Sequence, residues 1–167
     1  MKPIRIIGGM IMLLPVSPSE FDRYLRNSIR DFAAEKVRAG SWKAKEASKL
    51  ARETFNRLLP DGLDTENQHL YSIKDTENGK QVGFIWVGVK DRSPVPGAWI
   101  WDISIFEEHR RKGYATEALH ALERVLSSMG EERVSLHVFG HNTPALALYE
   151  KYGFSITDIS MTKTVEP

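Results

Sequence analysis

A basic turn followed by the start of a helix is the segment of this sequence best suited to bind an anion. Arg110, Arg111 and Lys112 precede Gly113, and a helical pattern begins immediately afterwards. The first turn of a helix presents unpaired backbone N–H groups and a partial positive charge, both of which favour phosphate oxygens. A glycine at this point lets the main chain approach the anion closely. The spacing R-x-x-G-x-A therefore predicts a phosphate-binding turn, although many basic turns of this kind are merely solvated.

The elements around this turn indicate a mixed α/β domain. Strand-forming residues recur at 70–74, 82–89 and 99–106, separated by turn residues, which predicts a three-stranded antiparallel meander. After the basic turn, an apolar stripe over 115–129 predicts a helix, and a strand follows at 134–139. Because a helix connects them, the strands before and after it should run parallel.

The two ends of the chain complete this pattern. An edge strand is predicted at 10–14, followed by two amphipathic helices over 21–37 and 44–59, the first capped by Ser19. Near the C-terminus, Thr143 and Pro144 open another helix that ends at Gly153. Residues 154–163 then return as a strand.

Composition excludes several classes of function. The chain has 23 Lys and Arg residues against 22 Asp and Glu residues, so it provides no large positive field for nucleic acid or an anionic membrane. The absence of cysteine excludes disulfides and a cysteine acyl-enzyme, and fits a reducing compartment. Neither G-x-x-x-x-G-K-[ST] nor G-x-G-x-x-G occurs, so the usual ATP and dinucleotide folds are not indicated. The apolar stretch at 6–14 is shorter than the roughly 20 residues that span a bilayer.

Two motifs together resemble the GNAT superfamily of N-acetyltransferases. The first is R-x-x-G-x-A from Arg110 to Ala115, and the second is N-x-x-A-x-x-x-Y-x-x-x-G-F from Asn142 to Phe154. The similarity is dense from about residue 99 to 154, and the predicted element order agrees from about residue 10 onward. The resemblance implies an α/β (mixed α+β) fold with a central, mostly antiparallel sheet, helices on both faces, and a splay between the fourth and fifth strands.

The resemblance also implies acetyl-CoA as the cofactor, with its pyrophosphate on the backbone N–H groups of residues 111–116. Ile103 and Ile105 would pair their backbone with the pantetheine arm as if it were an added strand. Asn142 matches a position that often touches the pantetheine, whereas Glu107 places a negative charge near the anionic ligand. The implied cofactor-binding residues are Ile103, Ile105, Arg110, Arg111, Lys112, Gly113, Tyr114, Ala115, Thr116 and Asn142.

Direct acyl transfer also requires a proton acceptor for the amine and a proton donor for the departing thiolate. The resemblance assigns the donor to Tyr149, since a tyrosine with an ordinary pKa near about 10 suits a thiolate leaving group. Asp102 is the candidate base, and strand alternation predicts that it shares a face with Ile100 and Ser104. A purely structural role for Asp102 stays open, as do three other candidate bases: His137, His141 and Glu107.

We expect the acceptor site at the two N-terminal helices, the loop after Leu59 and the turn at 91–97. Four tryptophans are candidates to line this site or to pack in the core: Trp42, Trp86, Trp99 and Trp101. The acceptor is expected to be a small-molecule or protein amine, and the sequence does not distinguish these.

These observations predict one acyl-CoA-dependent N-acyltransferase domain over residues 1–167, with 1–9 as a loose extension. The expected reaction transfers an acetyl group from acetyl-CoA to a primary amine in a ternary complex, in the cytoplasm and without a metal ion. The alternative is a non-catalytic acyl-CoA-binding regulatory module. A homodimer stays open.

Overall fold

A five-stranded sheet forms the centre of the computed structural model, which describes residues 9–89 and 94–165. The strands, in chain order and in order across the sheet, are β1 Ile11–Pro15, β2 Gln68–Asp75, β3 Gln81–Gly88, β4 Ala98–Ile105 and β5 Val134–Leu136. Neighbours among β1 to β4 are antiparallel, and β5 is parallel to β4. The helices in these residues are α1 Pro18–Arg38, α2 Ala44–Leu58, α3 Tyr114–Ser128 and α4 Thr143–Tyr152. The predicted mixed α/β fold is confirmed.

Helix α1 begins at a capping box rather than at the predicted cap, Ser19. The Ser17 hydroxyl accepts a hydrogen bond from the backbone N–H of Glu20, and the Glu20 carboxylate accepts one from the backbone N–H of Ser17. Pro18 occupies the first turn, where a missing N–H costs no hydrogen bond. The helix therefore starts earlier than its apolar pattern suggested.

The two faces of the sheet are covered by different materials. Helix α3 packs against one face in a mainly aliphatic core that includes Ile85, Val87, Ile100 and Leu122. Helices α1 and α2 cover the other face, where the core is aromatic. Its members include Tyr24, Phe55, Phe84, Trp86 and the partly buried Trp101. The site described below lies where these two layers meet the divergent end of the sheet.

Strands β4 and β5 separate soon after they begin to pair. Their ladder contains Ala98 opposite Val134, Trp99 opposite Ser135 and Ile100 opposite Leu136, and it ends there. Strand β4 continues to Ile105, whereas β5 ends at Leu136, short of the predicted limit at residue 139. The predicted splay between the fourth and fifth strands is confirmed.

A bulge in β4 at Trp101 changes the face on which Asp102 lies. In the ladder with β3, Trp86 pairs with Asp102 and Val87 pairs with Ile100, so Trp101 is the extra residue. Ile100 packs in the aliphatic core beneath α3, but Asp102 hydrogen-bonds to α1 on the opposite face. The prediction that Asp102 shares a face with Ile100 is wrong, because strict alternation does not hold across a bulge.

The strand predicted at 154–163 is absent from the structure. Residues 154–165 have no regular secondary structure and pair with no strand of the described chain. Phe154 packs on Tyr149, with ring centroids 5.6 Å apart, but every residue from Ser155 to Val165 is exposed. The expectation for residues 1–8 lies outside the described residues. None of the helices described combines the length and apolarity needed to cross a membrane.

Candidate active site

The turn before α3 leaves the first N–H groups of that helix uncapped. A short 3-10 helix, Glu107–His109, leads into the turn, in which Arg111 and Gly113 have positive φ angles of 61° and 86°. No side chain caps α3, and the N–H of Glu117 makes its first intrahelical bond, 3.1 Å to the carbonyl oxygen of Gly113. A Cβ atom on Gly113 would find only the Met10 side chain, 4.0 Å away. This open helix start could hold an anion.

Two basic side chains of the turn contact its own backbone. The Arg110 Nε donates to the carbonyl oxygen of Ile105 at 3.0 Å, and the Lys112 Nζ donates to that of Glu108 at 2.9 Å. These bonds stabilise the turn and use one of the donors on each side chain. Both residues are exposed, and both therefore add positive charge to the turn while shaping it.

Tyr114 anchors the start of α3 to the hairpin between β2 and β3. Its hydroxyl donates to the Asp75 carboxylate, which also accepts backbone N–H bonds from Glu77 and Asn78. The tyrosine hydrogen bond, followed by the N–H of Glu77, lowers the pKa of Asp75, and the same bond raises the pKa of Tyr114. The side chain of Tyr114 is therefore committed to the hairpin, and its backbone N–H is what remains for an anion.

The free edge of β4 lies next to this helix start. The N–H of Phe106 donates to the carbonyl oxygen of Val82 at 2.8 Å. Since antiparallel residues alternate between facing toward and away from their partner strand, the backbones of Ile103 and Ile105 face away from β3. That direction is the side from which β5 has separated. The edge could accept an extended ligand, although the Ile105 carbonyl already accepts from Arg110.

Asn142 has a structural role at the start of α4. Its side-chain oxygen accepts a hydrogen bond from the backbone N–H of Ala145 at 3.3 Å, and Pro144 occupies the first turn. Gly153 ends the helix with a φ of 113°. This cap and stop fix the helix that carries Tyr149, so Asn142 positions the candidate proton donor through the backbone.

Asp102 is held in a polar pocket formed with α1. Its carboxylate accepts hydrogen bonds from the Tyr24 hydroxyl at 3.0 Å and the Ser28 hydroxyl at 3.3 Å. Burial raises the pKa of Asp102 to about 6, while the hydrogen bonds from Tyr24 and Ser28 oppose the rise and the charge of Asp31 adds to it. The carboxylate can therefore exchange a proton near neutral pH, which suits a general base.

Tyr24 and Ser28 are site residues that the sequence analysis missed. They lie four residues apart on α1, the spacing that places two side chains on one helix face. Tyr24 is buried, and its ring also contacts Phe84 at 5.1 Å between centroids. Two hydroxyl groups on the apolar face of α1 were the available signal, but nothing in their spacing named Asp102 as the partner.

Tyr149 lies close enough to Asp102 to experience its charge. The tyrosine is 9% exposed, and its pKa is raised to about 12, first by burial and then by the negative charge of Asp102. Its hydroxyl is consequently protonated throughout the physiological range and available as a donor. The structure therefore brings together the two residues predicted to be catalytic.

The other candidate bases lie in different environments. The His141 Nε2 hydrogen-bonds to the Glu35 carboxylate, which links the loop before α4 to the end of α1. The pKa of His137 is lowered by partial loss of water contact and by the charge of Lys36. Glu107 is exposed in the 3-10 helix. Asp102 is the one among these four candidates that accepts hydrogen bonds from two hydroxyl groups on α1.

The predicted tryptophan lining is only partly compatible with the structure. Trp86 is 2% exposed, and its Nε1 donates to the Gln68 side-chain oxygen at 2.6 Å, so it is a core residue. Trp42 packs edge-on against Phe32, and the rings of Trp99 and Trp101 lie 5.9 Å apart. Part of the turn predicted to contribute to the acceptor site, residues 91–93, lies outside the described residues.

A metal site is not evident in this part of the chain. Within residues 9–89 and 94–165, no group of three or more His, Asp or Glu side chains could hold a metal ion. The chemistry available at the site therefore rests on Asp102, Tyr149 and the backbone groups of the turn.

Comparisons with known proteins agree with this geometry. The acetyltransferase (GNAT) family profile matches residues 33–154. The chain is 43% identical to the uncharacterized N-acetyltransferase YycN of Bacillus subtilis over 92% of this chain and 97% of that protein. It is 32% identical to the uncharacterized N-acetyltransferase YdgE of the same organism over 89% and 94% of the two chains. The crystal structure of YycN superimposes with a TM-score of 0.88, covering 94% of this chain and 99% of that one.

Proposed function

This chain belongs to the GNAT family of acetyltransferases, and on that basis we propose that it transfers an acetyl group from acetyl-CoA to a primary amine. The observation that carries the finer proposal is the juxtaposition of Asp102 and Tyr149 beside the diverging strands β4 and β5. When bound, acetyl-CoA supplies the thioester whose carbonyl carbon the amine attacks. The acceptor is a small-molecule or protein amine.

The uncapped start of α3 supports binding of the diphosphate. The N–H groups of residues 111–116 would hold its oxygens, with Gly113 leaving room for the approach. Arg110, Arg111 and Lys112 would add positive charge, which offsets the negative charge of Glu107. The outward-facing backbone of Ile103 and Ile105 would receive the extended arm of the same ligand, and Asn142 would hold the facing loop.

Asp102 would remove the proton that the attacking amine must lose. An ordinary aspartate is a weak base, but burial raises the pKa of Asp102 to about 6, so it remains ionised at neutral pH and binds a proton more readily than an exposed carboxylate. Tyr24 and Ser28 would fix its orientation. The proton would pass to it directly or through a water molecule.

Tyr149 would donate to the sulfur that leaves. Its raised pKa keeps the hydroxyl protonated, so the group acts as a hydrogen-bond donor to developing negative charge. Since Asp102 raises this pKa, ionisation of the base also keeps the acid in its required state. The two groups therefore support opposite halves of one acyl transfer.

We further propose that residues 1–167 form one such domain and that the reaction takes place in the cytoplasm. The absence of cysteine fits a reducing compartment.

Calorimetric titration with acetyl-CoA, followed by an amine panel monitored through thiol release, tests the proposal. We expect saturable binding and turnover with at least one primary amine. Tyr149→Phe should lower kcat by about 100-fold or more while leaving acetyl-CoA affinity unchanged. Tyr152→Phe is the matched control, because Tyr152 lies on the same helix and its hydroxyl contacts His120 at 3.1 Å.

The outcomes separate the alternatives. Binding of acetyl-CoA without thiol release from any amine would favour the non-catalytic binding module. A complete lack of binding would overturn the proposal. Equal losses in Tyr149→Phe and Tyr152→Phe would remove Tyr149 from the chemistry.

A further inference from the structure

The C-terminal segment has the sequence of a strand but no strand to pair with. Apolar residues alternate with polar ones over residues 154–165, with one change of phase between Ile156 and Ile159. Such a phase change is typical of a bulged strand, and the segment is rich in β-branched residues. Yet Ile156, Ile159, Met161 and Val165 are 55%, 68%, 91% and 86% exposed. Water contact at these four side chains opposes the conformation in which they are held.

Strand β5 has the complementary deficiency. It is the last strand in the sheet order, so one of its edges faces no other strand of the described chain. Its pairing with β4 covers only Val134, Ser135 and Leu136, although strand-forming residues continue to 139. Unpaired backbone groups at such an edge favour the addition of another strand.

The chain does not satisfy either deficiency by itself. After Gly153, the segment begins at Phe154, which packs back onto Tyr149 of α4, and from there all residues to Val165 are exposed. An extended segment of residues 156–165 is about 33 Å long, which is ample to follow a strand. Each copy of the chain therefore carries one unpaired strand and one unpaired edge.

We propose that the C-terminal segments of two copies are exchanged, so that residues 156–165 of each copy pair along β5 of the other. A two-fold arrangement satisfies both copies with the same contact used twice. It covers the edge of β5 and places the exposed apolar side chains against the second copy. The partner strand also supports residues 134–139, which lead toward Asn142 and α4. This inference concerns assembly and does not depend on the proposed reaction.

Light scattering coupled to size exclusion provides the first test. We expect twice the chain mass of 19.0 kDa for the full chain. A chain truncated after Ser155 and the double variant Ile159→Lys with Met161→Lys should both elute at the single-chain mass. Thr162→Lys is the control, because residue 162 lies on the opposite face of the extended segment. Thermal unfolding monitored by circular dichroism confirms that each variant is folded.

Hydrogen exchange and crosslinking identify the pairing partner. In the dimer, the backbone amides of 156–165 should be protected, and this protection should be lost in the double lysine variant. Because the chain contains no cysteine, Ser135→Cys and Ser160→Cys chains can be mixed and treated with a short bismaleimide. We expect links between one chain of each kind.

Several results would overturn the inference. A single-chain mass for the full protein, with or without protected C-terminal amides, would exclude exchange between copies. A dimer that survives truncation after Ser155 would place the interface elsewhere. Links formed only between two Ser160→Cys chains would show that the segments pair with each other and not with β5.

Discussion

The turn before α3 and the pocket around Asp102 form two halves of one site in different ways. The turn is a contiguous stretch, residues 110–116, whose binding groups are backbone N–H groups in an exposed loop. The pocket joins Asp102 to Tyr24 and Ser28, which lie 78 and 74 residues away in the sequence. The first half depends on local conformation and the second on packing between α1 and the sheet.

This difference predicts that the two halves can be damaged separately. Changes in the conformation of the turn should affect cofactor affinity and leave proton transfer intact. Changes in the pocket should affect the rate and its pH dependence and leave cofactor affinity intact. Each of the following variants tests one side of that separation.

The largest effect is expected from Asp102→Asn. Removing the base should lower kcat/KM by about 100- to 10,000-fold at neutral pH. In the wild-type enzyme, activity should rise with pH through the pKa of Asp102, about 6, and the variant should lose this dependence. Acetyl-CoA affinity measured by calorimetry should not change. A parallel loss of affinity would contradict the separation of the two halves.

The same variant should be more stable than the wild-type protein at neutral pH. Because the pKa of Asp102 is raised from 3.8 to about 6 on folding, the folded state binds the proton more tightly, and stability falls as pH rises between these values. Asparagine cannot ionise and avoids this loss, which corresponds to about 2–3 kcal/mol. Urea unfolding at pH 4 and pH 7.5 measures it. A stability difference that does not grow with pH would contradict the raised pKa.

A smaller effect is expected from Gly113→Ala. The φ of 86° is unfavourable for alanine, and the added strain should cost about 1 kcal/mol and raise the dissociation constant for acetyl-CoA by about tenfold. Gly79→Ala is the matched control, since Gly79 has a φ of 68° with open space around it in the hairpin between β2 and β3. It should lose similar stability with unchanged affinity. Equal affinities for the two variants would argue against an anion site at α3.

The parts of the structure that the sequence predicted are those that depend on neighbouring residues. The turn at Gly113, the helix start at Asn142 and the parallel pairing of β4 with β5 all follow from local patterns or from the connecting helix. The wrong predictions involve partners that are distant in the chain. The bulge at Trp101 is determined by the fit of β4 to β3, and alternation alone cannot locate it.

The missing C-terminal strand teaches the same lesson from the opposite direction. Residues 154–163 have strong strand propensity, but a strand also needs an edge that the chain can reach. Trp86 is similar, because its aromatic ring suited a binding platform equally well until the packing of α2 placed it in the core. Propensity identifies what a segment can form, while tertiary contacts decide what it does form.

The finest test of the pocket uses Tyr24→Phe and Ser28→Ala. Both hydroxyl groups lower the pKa of Asp102, so removing either should raise that pKa and move the acidic limb of the pH–rate profile to higher pH. Activity should fall a few-fold near pH 6 and recover above pH 8. The shift should be larger for Tyr24→Phe, because its bond to Asp102 is shorter, 3.0 Å against 3.3 Å.

Phenylalanine retains the contact of residue 24 with Phe84, so the loss of stability should be limited to about 1 kcal/mol from the missing hydrogen bond. A uniform loss of activity at every pH would mean that the two hydroxyl groups act only in packing. A shift toward higher pH, with unchanged acetyl-CoA affinity, would establish that α1 sets the basicity of a residue on β4. The turn before α3 could then vary in affinity without altering that basicity.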